Sequence, residues 1–137
     1  MFAFVVTIGC KSTKAPDCMA DATRTKVLTD FYARTNLVVG GIVPENPIAT
    51  LKEMGVDVTW RSGELYLKKD GQAKHVFLSE VRPIAIDEKV GMFQCAATAN
   101  QALAGESNVV KADVRYRSEI ADAGKTHIVT LESINSK

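Results

Sequence analysis

Residues 110–134 read VKADVRYRSEIADAGKTHIVTLESI, and their side chains alternate in character with period two. Ala112, Val114, Tyr116, Ser118 and Ile120 fall on one side, while Lys111, Asp113, Arg115, Arg117 and Glu119 fall on the other. That is the pattern of a half-buried strand. Asp122-Ala123-Gly124-Lys125 supplies turn chemistry, and Thr126 to Ile134 returns as a second β-branched run. The spacing therefore predicts one long β-hairpin at the C-terminal end.

Two tighter turns lie upstream. Val56, Val58 and Trp60 alternate with Asp57, Thr59 and Arg61; Ser62-Gly63 then turns the chain into Glu64–Lys69, and Asp70-Gly71 turns it again into Lys74–Val81. This is a three-stranded antiparallel meander, with Leu65 and Leu67 facing inward and Tyr66 outward. Pro83 belongs at an edge or a bulge, since proline cannot donate to a ladder. Further back, Phe2 to Ile8 reads as a buried strand and Leu37-Val38-Val39 as a short one.

Three helices are expected. The first starts from Asp17 as cap and runs to about Arg34, broken by Thr35-Asn36, with Ala20, Val27, Leu28 and Phe31 as its apolar stripe. The second opens at Asn46-Pro47 and stops at Gly55. The third runs from an Asp87 cap through the alanine-rich segment to Gly105. The expected fold class is α+β: a single domain over residues 1–137, a largely antiparallel sheet of about six strands, and two to three helices on one face.

Composition bounds the function. Seventeen basic residues against sixteen acidic ones leave no overall attraction for nucleic acid. No run approaches the length of a membrane span. Thr7-Ile8-Gly9-Cys10 has the outline of a lipoprotein cleavage site, but so few residues precede the cysteine that the reading is set aside unless the chain is truncated. Cys10, Cys18 and Cys95 form no close pair. They read as free thiols in a reducing compartment, with a Cys10–Cys18 bridge as the alternative. The expected location is the cytoplasm, or a virion if the protein is viral.

No motif carries a diagnostic chemistry. Gly9-Cys10-Lys11-Ser12-Thr13 lacks the glycine spacing of a phosphate loop. Cysteine catalysis needs a thiolate beside a base, and His75 and His127 are remote in sequence from every cysteine. Both histidines read as strand-end surface residues. Metal ligation finds no local pair at ligand spacing, so neither metal nor cofactor is expected.

What remains is surface. Lys68, Lys69 and Lys74 surround the Asp70-Gly71 turn, Lys111, Arg115 and Arg117 share the outer face of the hairpin, and Tyr66 sits beside Arg61 and Lys68. The expectation is a non-catalytic interaction or assembly module, viral, phage or bacterial, that joins itself or another protein through a sheet edge or the hairpin. The alternatives are a small enzyme with a Cys/His or carboxylate site, and a nucleic-acid binder with a local basic patch.

Overall fold

A computed structural model describes residues 16–121 and 126–137. Two helices, α1 (Asp21–Asn36) and α2 (Pro47–Glu53), precede six strands. These are β1 (Asp57–Arg61), β2 (Glu64–Lys69), β3 (Gln72–Asp87), β4 (Met92–Leu103), β5 (Val109–Ala121) and β6 (Thr126–Ser136). Each strand pairs antiparallel with the next, in the order β1-β2-β3-β4-β5-β6. The sheet curls into a half-barrel. Helix α1 lies in its hollow against β2, β3 and β6, and α2 sits beside β1. Two helices, held in and beside a curved sheet, stand where two to three packed on one face were expected.

The meander and the hairpin stand as the alternation demanded. Ser62 (φ +49) and Gly63 (φ +74) make one two-residue turn, and Asp70 (φ +52) and Gly71 (φ +79) make the next. Positive φ at both central residues matches the twist of the flanking strands. In β5, Ala112, Val114, Tyr116 and Ser118 are buried whereas Lys111, Asp113 and Arg115 are exposed. The hairpin's turn at residues 122–125 lies outside the described residues, as does the expected strand Phe2–Ile8.

Helix α2 begins where the sequence places it. The Asn46 side chain accepts from Ala49 N, proline occupies the first turn, and Gly55 follows the end at φ +82. The start of α1 differs. Its N-cap position is Ala20, and Asp17 instead accepts from Met19 N at 3.0 Å, closing a turn just ahead of the helix. The helix also continues through Thr35 and Asn36, whose side chains bond back to main-chain oxygens of Phe31 and Tyr32. Leu37–Val39 forms no strand; only a single bridge joins Val39 to Ile42.

The largest correction concerns Met92–Leu103. This segment is a central strand, not a helix capped by Asp87. Asp87 caps the β3–β4 turn, accepting from Lys89 N at 3.1 Å. Residues 95–100 are all buried because β4 is covered on both faces. On the hollow side Cys95, Ala97 and Ala99 join Val27, Leu28 and Phe31 in one core. On the outer side Asn100 donates to Ser79 Oγ at 2.9 Å and Thr98 donates to Glu80 Oε2 at 3.2 Å. A strand buried on both faces shows no alternation, and alanine favours helix wherever packing does not decide.

Pro83 lies between two register shifts in β3, at Ser79/Arg82 and Pro83/Ala85, with Glu80 at φ +53. Strand β2 covers β3 only as far as Val76, so Pro83 occupies a free edge as well as a bulge.

The cysteines also differ from expectation. Cys18 and Cys95 form a disulfide across 77 residues, which excludes both the free-thiol reading for this pair and a Cys10–Cys18 bridge. No sequence spacing announces a link between a pre-helix loop and a central strand. Cys10 lies outside the described residues.

Candidate functional site

Several groups with catalytic potential in the sequence are held in structural contacts. The segment just before α1 is strapped to the sheet at three points. Cys18 is linked to Cys95, the Tyr116 hydroxyl donates to Cys18 O at 3.0 Å, and the Ser118 hydroxyl donates to Pro16 O at 2.7 Å. Tyr116 is fully buried, and desolvation pushes its phenol up to about 12 despite the opposing charge of Arg24.

Ser118 and His127 form a serine–histidine contact, Oγ to Nε2, of 2.7 Å. Its proton arrangement argues against a nucleophile. The single hydroxyl hydrogen is directed at Pro16 O, so Nε2 carries the hydrogen of the second bond and donates to Oγ. A histidine presenting a hydrogen cannot act as base toward that serine. Burial, then the nearby Lys26 charge, lowers the His127 pKa below its ordinary 6.5. The expected surface histidine is thus half-buried and bonded.

His75 is likewise no strand-end decoration. It pairs across strands with Tyr66, ring centroids 4.4 Å apart and planes 8° from parallel, and stacks on Phe77 at 4.4 Å. Glu64 Oε1 sits 2.8 Å from His75 Nε2 and 3.3 Å from the Tyr66 hydroxyl. Arg61 lies over the other face of Tyr66, 5.0 Å from its centroid. Each face of Tyr66 and His75 is therefore covered, and the row Arg61–Tyr66–His75–Phe77 acts as a cross-strand ladder. Sequence alone shows Tyr66 beside Arg61 but not the 66–75 register that builds the stack.

The basic residues divide between faces. Lys111 and Arg115 project from β5 on the outer face, and Arg117 there is held by Glu119 (3.2 Å) and Glu132 (3.4 Å). Lys68 shares the outer phase of Tyr66. Lys74 takes the inner phase: its Nζ lies 3.3 Å from the Tyr32 hydroxyl and 5.3 Å from that ring's centroid. Strands β3 and β4 separate Lys68 from Lys111. These cations do not make one stripe.

Two cavities open at the end of the sheet where β2 turns into β3. One, of about 1000 Å³, runs along the outer face past Arg61, Tyr66 and His75. The other, of about 530 Å³, is the mouth between α1, α2 and the β2–β3 turn. Lys68 and Lys74 border both.

A third feature was missed in the sequence. Val39 and Ile42 exchange two backbone hydrogen bonds (3.2 and 3.1 Å) around Gly40 (φ +61) and Gly41 (φ +80). The resulting turn carries Val39 and Ile42 at 80% and 73% exposure, with Val38 and Val43 beside them. The Gly-Gly pair between Val39 and Ile42 was its signal.

Among the described residues no group of three His, Cys, Asp or Glu side chains is placed to hold a metal ion, and no helix is long and apolar enough to cross a membrane. No family model matches this chain, and no curated protein or solved structure was found to resemble it.

Proposed function

We propose that this protein is a non-catalytic interaction module that associates with a second copy of itself through the Val38–Val43 turn. The carrying observation is that turn: a backbone fixed by two hydrogen bonds that holds four aliphatic side chains in solvent. Exposed apolar clusters on ordered backbone mark contact surfaces, and a fixed turn loses little further freedom on docking. A near-zero net charge sets no strong repulsion between copies. An isologous contact between two such turns needs no other partner.

The β6 edge and the free stretch of β3 are less suited to that role. Lys26 donates to His127 O at 2.8 Å and Arg34 to Leu131 O at 3.1 Å, so α1 occupies main-chain acceptors of the edge strand β6. The spacing fits, since eight helical residues and four strand residues both span about 12–13 Å. The free stretch of β3 is interrupted by bulges and Pro83. These are the devices by which proteins guard edges. The outer hairpin cations Lys111 and Arg115 remain as a second contact surface.

The disulfide supports an oxidising compartment in place of the cytoplasm. A thiol titration of the unreduced, unfolded protein then finds one reactive cysteine, Cys10. Sedimentation over a wide concentration range tests the association. The expected result is a reversible dimer that Val39→Ser with Ile42→Ser converts to monomer. A strict monomer, or a dimer indifferent to both substitutions, overturns the reading.

A further inference from the structure

Independently of self-association, we infer that the mouth between α1, α2 and the β2–β3 turn is a binding site for a small amphiphile with a carboxylate head. Its walls are of two kinds. Leu37, Leu51 and Leu67 make an apolar floor where helices meet sheet, with Val56 half-buried and Met54 exposed at the rim. Lys68, Lys69 and Lys74 stand at the opening, against a single acid, Asp70.

The central observation is Lys74. It is half-buried, and its described partners are the hydroxyl and the ring of Tyr32. Among the described residues none of Lys68, Lys69, Lys74 and Asp70 takes part in an ion pair. Elsewhere on the molecule cations such as Arg24, Arg34 and Arg117 do meet acids. A partly desolvated ammonium without a carboxylate partner is an anion site in waiting, and the Tyr32 hydroxyl beside it can donate to the same head group.

The size agrees. A volume of about 530 Å³ falls within the range of small-molecule sites, about 300–1,000 Å³. Apolar walls with few convergent polar groups are the usual composition of such sites. The apolar tail would rest among Leu37, Leu51, Met54 and Val56, and the carboxylate would face Lys74, with Lys69 nearby. A cationic head would be repelled.

The test is calorimetric titration of the full chain with sodium decanoate, kept below its micelle concentration, and separately with decyltrimethylammonium bromide and sodium acetate. The expected result is saturable binding of decanoate alone, weakened about tenfold or more in Lys74→Met. Lys111→Met, on the far outer face, leaves decanoate affinity unchanged. A thermal melt of each variant checks folding, and Met54→Trp, from an exposed position on the lining, obstructs the mouth and weakens binding while leaving Lys74 in place. No decanoate binding, equal binding of the cationic amphiphile, or full affinity in a folded Lys74→Met protein overturns the inference. Each of these readings is independent of whether the chain dimerises.

Discussion

The Tyr116 hydroxyl donates to the carbonyl oxygen of Cys18 across 3.0 Å, joining the middle of β5 to the loop ahead of α1. Both atoms are buried, so removing the hydroxyl leaves a carbonyl with neither water nor partner. Tyr116→Phe keeps the ring's packing. It is expected to lower stability by about 1–3 kcal/mol, read as a shift in the urea midpoint. An unchanged midpoint would show that water reaches Cys18 O.

The neighbouring covalent link acts over a longer span. The disulfide closes 77 residues of chain, for which the chain-entropy relation gives about 4–5 kcal/mol. Cys18→Ala with Cys95→Ala, or reduction, is expected to lower stability by up to about that amount. Denaturant unfolding with and without reductant measures both.

Acidification acts through His127. Burial and Lys26 lower its folded pKa below 6.5, so the unfolded chain takes this proton more readily than the folded one. Its contribution to stability is therefore complete above about pH 6.5 and is lost as pH falls below that value toward the folded pKa. His127→Gln keeps a donor for Ser118 and removes the titration. Comparing urea midpoints at about pH 7.5 and about pH 5.5, the variant is expected to show the shallower decline.

Gly63 sits in the left-handed region at φ +74, and a Cβ there would come 2.7 Å from Arg24 Cζ. Arg24 can swing aside, but the backbone strain stays. Gly63→Ala is expected to cost about 1–2 kcal/mol, measured by thermal or urea unfolding.

Lys26 and Arg34 offer a test with the opposite sign for solubility. Their replacement by methionine opens the His127 and Leu131 carbonyls of β6 to other chains. Stability is expected to change little, while concentration-dependent light scattering rises. Unaltered scattering would mean that the edge is protected by something else.

How far the sequence could be read depended on burial geometry. Strands wet on one face announced themselves: Val58 and Trp60, Leu65 and Leu67, Val114 and Tyr116 all alternate with polar neighbours. The turns at Ser62-Gly63 and Asp70-Gly71 and the cap at Asn46-Pro47 are local chemistry, hence legible. Strand β4 is buried on both faces, and its alanines carried a helical signal that tertiary packing overrode. The long-range partnerships, Cys18 with Cys95 and Lys74 with Tyr32, depend on how the sheet curls. Nothing local encodes that. Of the surface residues singled out in advance, Lys68, Lys69 and Lys74 do border one opening, whereas Lys111, Arg115 and Arg117 belong to another region.

The meander lets each strand find its neighbour from the piece of chain made just before it, so the sheet can zip forward during synthesis. The strap breaks that rule. Pro16 and Cys18 leave the ribosome 77 to 102 residues ahead of their anchors, Cys95, Tyr116 and Ser118. A nascent chain halted before β5 would therefore lack two of the strap's three anchors, and the Pro16–Cys18 segment would be fully secured only once Tyr116 and Ser118 had emerged.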